Sequence, residues 1–206
     1  MFAVKIEEEI VAQAQELFDA VGITSCGEDS VIILGMQTSP EQDLDYFERD
    51  ENGAFQIRGF EIHAKSRLDS LVTFIREKGL PAEIFGWCGY PQGYELNLKQ
   101  QAVAAGLGGW GKNSMVIHPR FGPWLRLMSL RITGSTLSPT GPGRDSHTEN
   151  PVCKDCTACI DACPLGILEP YYLRDSSNCL ARLEKYTNPG RIQCCDLCWT
   201  ACPVGR

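Results

Sequence analysis

The chain is predicted to be an α+β protein, with a mixed α/β domain over residues 1–148 followed by a small cysteine-rich module over 149–206. Three observations carry this. Helical and strand patterns alternate as far as Ile132, a polar stretch rich in Gly, Pro, Ser and Thr follows, and nine of the eleven cysteines lie beyond residue 152. A length of 206 residues accommodates one ordinary domain and a small module.

The elements follow in order. Ile10, Val11, Ala14, Leu17, Phe18 and Val21 recur at helical spacing, with Gly22 placed to cap the helix. Residues 30–36 (SVIILGM) are a continuous apolar run rich in β-branched residues, the mark of a strand buried on both faces. Residues 38–59 are polar and contain Asn52-Gly53, so they read as a loop with one helical turn. Residues 60–78 set Leu68, Leu71, Val72 and Ile75 on one stripe before Gly79, a second amphipathic helix. Residues 82–87 read as a strand, Asn97 as the cap of a short helix through Ala105, and 114–118 and 125–132 as strands around a 119–123 turn. Residues 134–150 (GSTLSPTGPGRDSHTEN) have no apolar periodicity and read as a linker.

Charge and hydropathy narrow the function classes. No apolar run approaches the roughly 18–20 residues that span a bilayer, and residues 1–9 are acidic where a signal peptide is basic and then apolar. The expectation is a cytoplasmic protein with no membrane partner. Lys+Arg 19 against Asp+Glu 26 gives a formal charge of -7, which argues against a nucleic-acid surface, since phosphates are bound mainly by Lys and Arg.

The cysteines then supply chemistry. Cys153-x2-Cys156-x2-Cys159-x3-Cys163-Pro164 is followed by Cys195-x2-Cys198-x3-Cys202-Pro203, with Cys179 sixteen residues from both Cys163 and Cys195. This is the bacterial-ferredoxin run, in which three close thiolates grip one cubane and the cysteine before proline reaches the other cluster. The crossing assigns Cys153, Cys156, Cys159 and Cys202 to one [4Fe-4S] cluster, and Cys163, Cys179, Cys195 and Cys198 to a second. Disulfides would need an oxidising compartment. Two zinc sites would more usually present paired CxxC knuckles than this string. Cys26, Cys88 and Cys194 remain as ordinary thiols. Counting eight thiolates and two cubanes, the loaded protein carries about -11.

Residues 106–111 (GLGGWG) match GxGxxG, but a dinucleotide fingerprint follows a strand and opens a helix. Here the glycines follow the helix ending at Ala105 and open onto a strand, so NAD binding is not the reading. Glycines followed by Lys112, Asn113 and Ser114 suit close backbone approach to a large ligand.

The stretch LKQQAVAAGLGGWGKNSMVIHPRFGPWLRLMSLRIT, followed by CKDCTACIDACP and CCDLCWTACP, resembles the epoxyqueuosine reductase and reductive dehalogenase superfamily of cobalamin- and iron–sulfur-dependent reductases. The resemblance covers roughly residues 28–206. It implies a nitroreductase-like α/β domain before a two-cluster ferredoxin module, with cobalamin between them and Gly108, Gly109, Lys112, Asn113 and Ser114 lining the corrinoid. The family's acidic proton donor falls near Gln92 by residue count, so Tyr90, Tyr94 and Glu95 are the candidate catalytic donors. The family's C-terminal helical-repeat tail, associated with tRNA, has no counterpart here, and the chain reads as a minimal member.

Together these readings give an iron–sulfur reductase passing electrons from two clusters to a corrinoid or small-molecule substrate. The alternative is a non-catalytic ferredoxin-type carrier without cobalamin. The expected partners are a low-potential electron donor of the ferredoxin or flavodoxin class and a small-molecule or corrinoid substrate, with no nucleic acid.

Overall fold

The computed structural model describes residues 2–53, 55–87, 96–135, 137–143, 149–175, 179 and 195–205. The chain forms two compact units that interleave in sequence. One comprises Met1–Gln37, Ala64–Leu107 and Arg126–His147; the other comprises Thr38–His63, Gly108–Leu125 and Thr148–Arg206. The second unit thus combines Thr148–Arg206 with residues 38–63 and 108–125.

The first unit is built on a four-stranded sheet in the order β1-β2-β8-β5. Strand β1 (Ala20–Cys26) pairs antiparallel with β2 (Asp29–Gln37) through a two-residue turn in which Gly27 has φ 64°. In β2 every residue from Ser30 to Met36 is buried, as its run of apolar residues predicts. Strand β5 (Ala82–Trp87) pairs antiparallel with β8 (Leu125–Ile132), with a bulge between Ile84 and Gly86.

Helix α1 (Phe2–Leu17) buries Ile10 and Ala14, with Phe18 just beyond its end, and packs on α3 (Lys65–Glu77), which buries Leu68, Leu71, Val72 and Ile75. The Arg67 guanidinium donates to the Leu17 carbonyl at 3.0 Å, satisfying a last-turn acceptor of α1. Gly79, at φ 83°, donates its N–H to the Arg76 carbonyl and ends α3. Helix α4 (Leu98–Ala104) starts where Asn97 accepts from the Gln100 N–H at 3.2 Å and stops at Gly106, φ 81°, with the Leu107 N–H on the Ala102 carbonyl.

Two expectations are corrected here. Gly22 does not cap α1; it lies inside β1, where an added Cβ would come 2.2 Å from Leu107 Cδ1 and 2.7 Å from the Ala105 carbonyl oxygen. Its missing side chain admits the end of α4. Likewise, the described part of 134–143 is not a free linker. Thr140 Oγ1 accepts from the Ile23 N–H and donates to the Ala105 carbonyl, both at 2.8 Å. Gly141 lies so close that a Cβ would meet the Gly106 nitrogen at 2.2 Å.

In the second unit, residues 38–59 hold a hairpin of β3 (Phe47–Arg49) and β4 (Phe55–Ile57), turned at Gly53 with φ 78° and followed by α2 (Arg58–His63). The loop reading missed strands three residues long. Strands β6 (Gly109–Trp110) and β7 (Val116–Ile117) make a second hairpin. A third, β9 (Leu168–Glu169) with β10 (Tyr172–Leu173), closes at Tyr171, φ 64°. Helices α5 (Ala158–Asp161) and α6 (Leu197–Thr200) are single turns packed on one another. Among the described residues no helix is long and apolar enough to cross a membrane.

Candidate metal centre

The two short helices arise from the same local pattern. In each CxxCxxxCP run the residue after the first cysteine starts a single turn: Asp161 N–H bonds to the Thr157 carbonyl and Thr200 N–H to that of Asp196. The third cysteine then closes it, Cys163 N–H on Ile160 and Cys202 N–H on Trp199. Proline follows each and cannot continue the helix. The pattern therefore places the middle cysteine, Cys159 or Cys198, inside the turn, with the last one leaving it.

Cys153, Cys156, Cys159 and Cys202 line one cavity together with Lys112, Asn113, Ile117, Val152, Pro203 and Val204. Cys159 and Cys202 are buried there. Burial raises the Cys159 thiol above its ordinary range, and the neighbouring Cys153, Cys156 and Cys202 sulfurs raise it further. A second group surrounds Cys198, which burial, then Cys179 and Cys195, push up to about 12, with smaller effects from Cys159 and Cys163. Cys179 is raised by burial and by Cys195 and Cys163. For Cys163 burial acts upward, but the backbone N–H groups around it, from Leu165 to Leu168, hold the thiol below its usual value.

Among the described residues no three His, Cys, Asp or Glu side chains converge tightly enough to hold a single metal ion. A donor set of soft thiolates around one cavity suits an iron–sulfur cluster.

The glycine-rich segment fastens onto the cysteine segment. Asn150 N–H bonds to the Trp110 carbonyl at 2.8 Å, and its side chain donates to Ile117 at 3.1 Å while accepting from the Val152 N–H. Lys112 Nζ donates to the Lys154 carbonyl at 2.8 Å, and the Tyr171 N–H to the Lys112 carbonyl at 3.2 Å. Gly108 and Gly111 serve this hairpin: a Cβ on either would come within 2.4 and 2.5 Å of Ile117. Ser114, at φ 58°, donates its N–H to Gly111 and closes the turn. Of the five residues expected along a corrinoid, Lys112 and Asn113 line the cysteine cavity; Gly108, Gly109 and Ser114 are not among the described lining residues. Tyr90, Tyr94 and Glu95, with Cys88 and Cys194, lie outside the described residues.

Comparison with known proteins shows what the chain is similar to. No protein-family model matches the chain. An epoxyqueuosine reductase of Staphylococcus aureus is 32% identical over 154 residues, covering 69% of this chain and 37% of that protein. The chain is a relative of the epoxyqueuosine reductases. The enzyme of Cyclobacterium marinum is 28% identical over 193 residues, 87% of this chain and 59% of its own length. The chain thus spans less than two thirds of these curated relatives. The epoxyqueuosine reductase structure from Bacillus subtilis shares the fold, with a TM-score of 0.70 at 20% identity, covering 99% of this chain and 66% of that one. A crystal structure of epoxyqueuosine reductase with an epoxyqueuosine-modified tRNA-Tyr stem loop matches with a TM-score of 0.68 at 19% identity, covering 98% and 66%.

That last neighbour overturns the expectation of no nucleic-acid partner. The argument from charge failed because -7 is a sum over the whole surface, while a stem loop is gripped by a local one.

Proposed function

We propose that the chain is an iron–sulfur reductase acting on epoxyqueuosine carried in tRNA. The observation carrying the reading is the grouping of Cys153, Cys156, Cys159 and Cys202 around one cavity in a relative of the epoxyqueuosine reductases. In this reading those four hold one [4Fe-4S] cluster, and Cys163, Cys179, Cys195 and Cys198 hold another. Residues 149–206 then act as a bacterial-ferredoxin-like module beside a nitroreductase-like α/β domain. The Cys159, Cys179 and Cys198 thiols, which burial raises, would lose their protons on binding iron.

The chemistry of an epoxide sets what must be delivered. Removing its oxygen as water and leaving a carbon–carbon double bond takes two electrons and two protons. Clusters held by these cysteines would supply the electrons one at a time, and Tyr90, Tyr94 and Glu95 are the proposed proton donors. Cobalamin enters on the family likeness alone. Gly108 and Gly111, whose bare backbones suggested a ligand cradle, are closed off by Ile117.

The test is conversion of an epoxyqueuosine-modified tRNA stem loop by the anaerobically reconstituted chain with a chemical reductant and cobalamin supplied. Loss of one oxygen from the nucleoside, read by mass spectrometry, is expected, and Cys156→Ala should abolish it. A fully loaded protein that leaves the nucleoside unchanged would overturn the proposal.

A further inference from the structure

Asn113 carries a buried donor that nothing in the described chain satisfies. The residue is 6% exposed, and Nδ2 has no hydrogen-bond partner among the described residues. The chain fixes which end of the amide is which. Oδ1 accepts from the Met115 N–H at 3.2 Å, so the NH2 end is the one left over. Gly111 supports this setting, since an added Cβ there would come 2.7 Å from Oδ1.

The residue lines the cavity walled by Cys153, Cys156, Cys159 and Cys202. A buried donor without an acceptor is rare and points to a ligand in that space. Water is a poor candidate: it needs roughly two to four polar partners, and the other lining residues include Ile117, Val152, Pro203 and Val204. Lys112 also lines the cavity, but its ammonium, which donates to the Lys154 carbonyl, is a donor and offers Nδ2 no acceptor. What the four thiolates would hold, a cluster rimmed with sulfide, is an acceptor surface.

We propose that Asn113 Nδ2 donates a hydrogen bond to a sulfur of the iron–sulfur cluster held by Cys153, Cys156, Cys159 and Cys202, and so raises that cluster's reduction potential. The inference rests on the reading of these cysteines as a cluster site. Reduction makes the sulfurs more negative, so the donor stabilises the reduced state more than the oxidised one. Asn113 is thus a tuning residue for one cluster of the two.

Two measurements test it on the reconstituted full chain. In wild-type protein labelled with 15N-asparagine, the reduced cluster should show a 15N hyperfine coupling. In a redox titration followed by electron paramagnetic resonance, Asn113→Leu should lower the midpoint of one cluster and leave the other in place. The expected change is about tenfold in the reduction equilibrium, 59 mV for a one-electron couple. Asn113→Asp keeps the acceptor for Met115, removes the donor, and should shift the same midpoint in the same direction, so the test does not depend on one variant folding. Absence of the coupling, or unchanged midpoints in iron-replete variants, overturns the inference. Iron and sulfide content separates the two failures. If the wild-type chain takes up no cluster, the cluster reading itself is wrong, whereas full clusters with unmoved midpoints remove only the role of Asn113.

Discussion

The carbonyl oxygen of Val204 occupies the space where a side chain on Gly122 would stand, 2.0 Å from an ideal Cβ, and Gly122 itself has φ 55°. Gly205 returns the contact, its own Cβ position falling 2.3 Å from the Phe121 carbonyl carbon. This backbone clasp holds the segment immediately after Cys202. Gly122→Ala should therefore destabilise the fold by about 1–3 kcal/mol through overpacking and a strained φ. It should also lower iron retention at the Cys202 site; thermal melting and iron content check the two effects.

Thr140 tests the account of residues 134–143. Its hydroxyl serves the Ile23 N–H and the Ala105 carbonyl, whose residues are 1% and 2% exposed. Thr140→Val keeps the shape and orphans both groups, at a cost of about 1–3 kcal/mol. A loss below a few tenths in denaturant unfolding would show that the segment is a loose linker after all.

His118 makes acid stability predictable. Its Nδ1 accepts from the Arg120 and Phe121 N–H groups at 3.1 and 3.3 Å, and burial, then the Arg120 charge, hold its pKa below the ordinary 6.5. With the folded value depressed, the unfolded chain takes up the proton first as pH falls below about 6.5, so stability drops from there downward. Asn at this position supplies an acceptor that does not titrate. The stability difference between wild type and His118→Asn should shift in favour of the variant between pH 7.5 and 5.

Cys198 sets an opposite limit for the apoprotein. Because burial raises its thiol to about 12 from an ordinary 9, the folded apo chain holds a proton that the unfolded chain releases over that interval. Apo stability should therefore fall as pH rises above about 9. The loaded protein, whose thiolates are already bound to iron, should not share that fall; parallel melting curves at pH 8 and 10 compare them.

Much of this was legible in the residues. The β-branched run of β2 and the Asn97 cap of α4 each follow from local chemistry that fixes local structure. What was not legible depended on distant partners. Gly22 satisfies the rule for a helix cap equally well, and only Leu107 and Ala105 packing against it decide otherwise. The β3–β4 hairpin carries too few residues to alternate. Asn113 reads as a corrinoid-lining donor, and only the Met115 N–H on its oxygen shows which end of the amide is left over.

The central claim is the crossing, in which Cys202 belongs with Cys153, Cys156 and Cys159 although it follows Cys195 and Cys198 in the chain. The direct measurement is iron content with electron paramagnetic resonance of the reduced protein in Cys156→Ala, Cys202→Ala and Cys195→Ala. Wild type should hold about eight irons and eight sulfides in two cubanes. Cys202→Ala should perturb the same cluster signal as Cys156→Ala and spare the one lost in Cys195→Ala. If Cys202→Ala instead removes the signal that Cys195→Ala removes, the partition, and the account built on it, is contradicted.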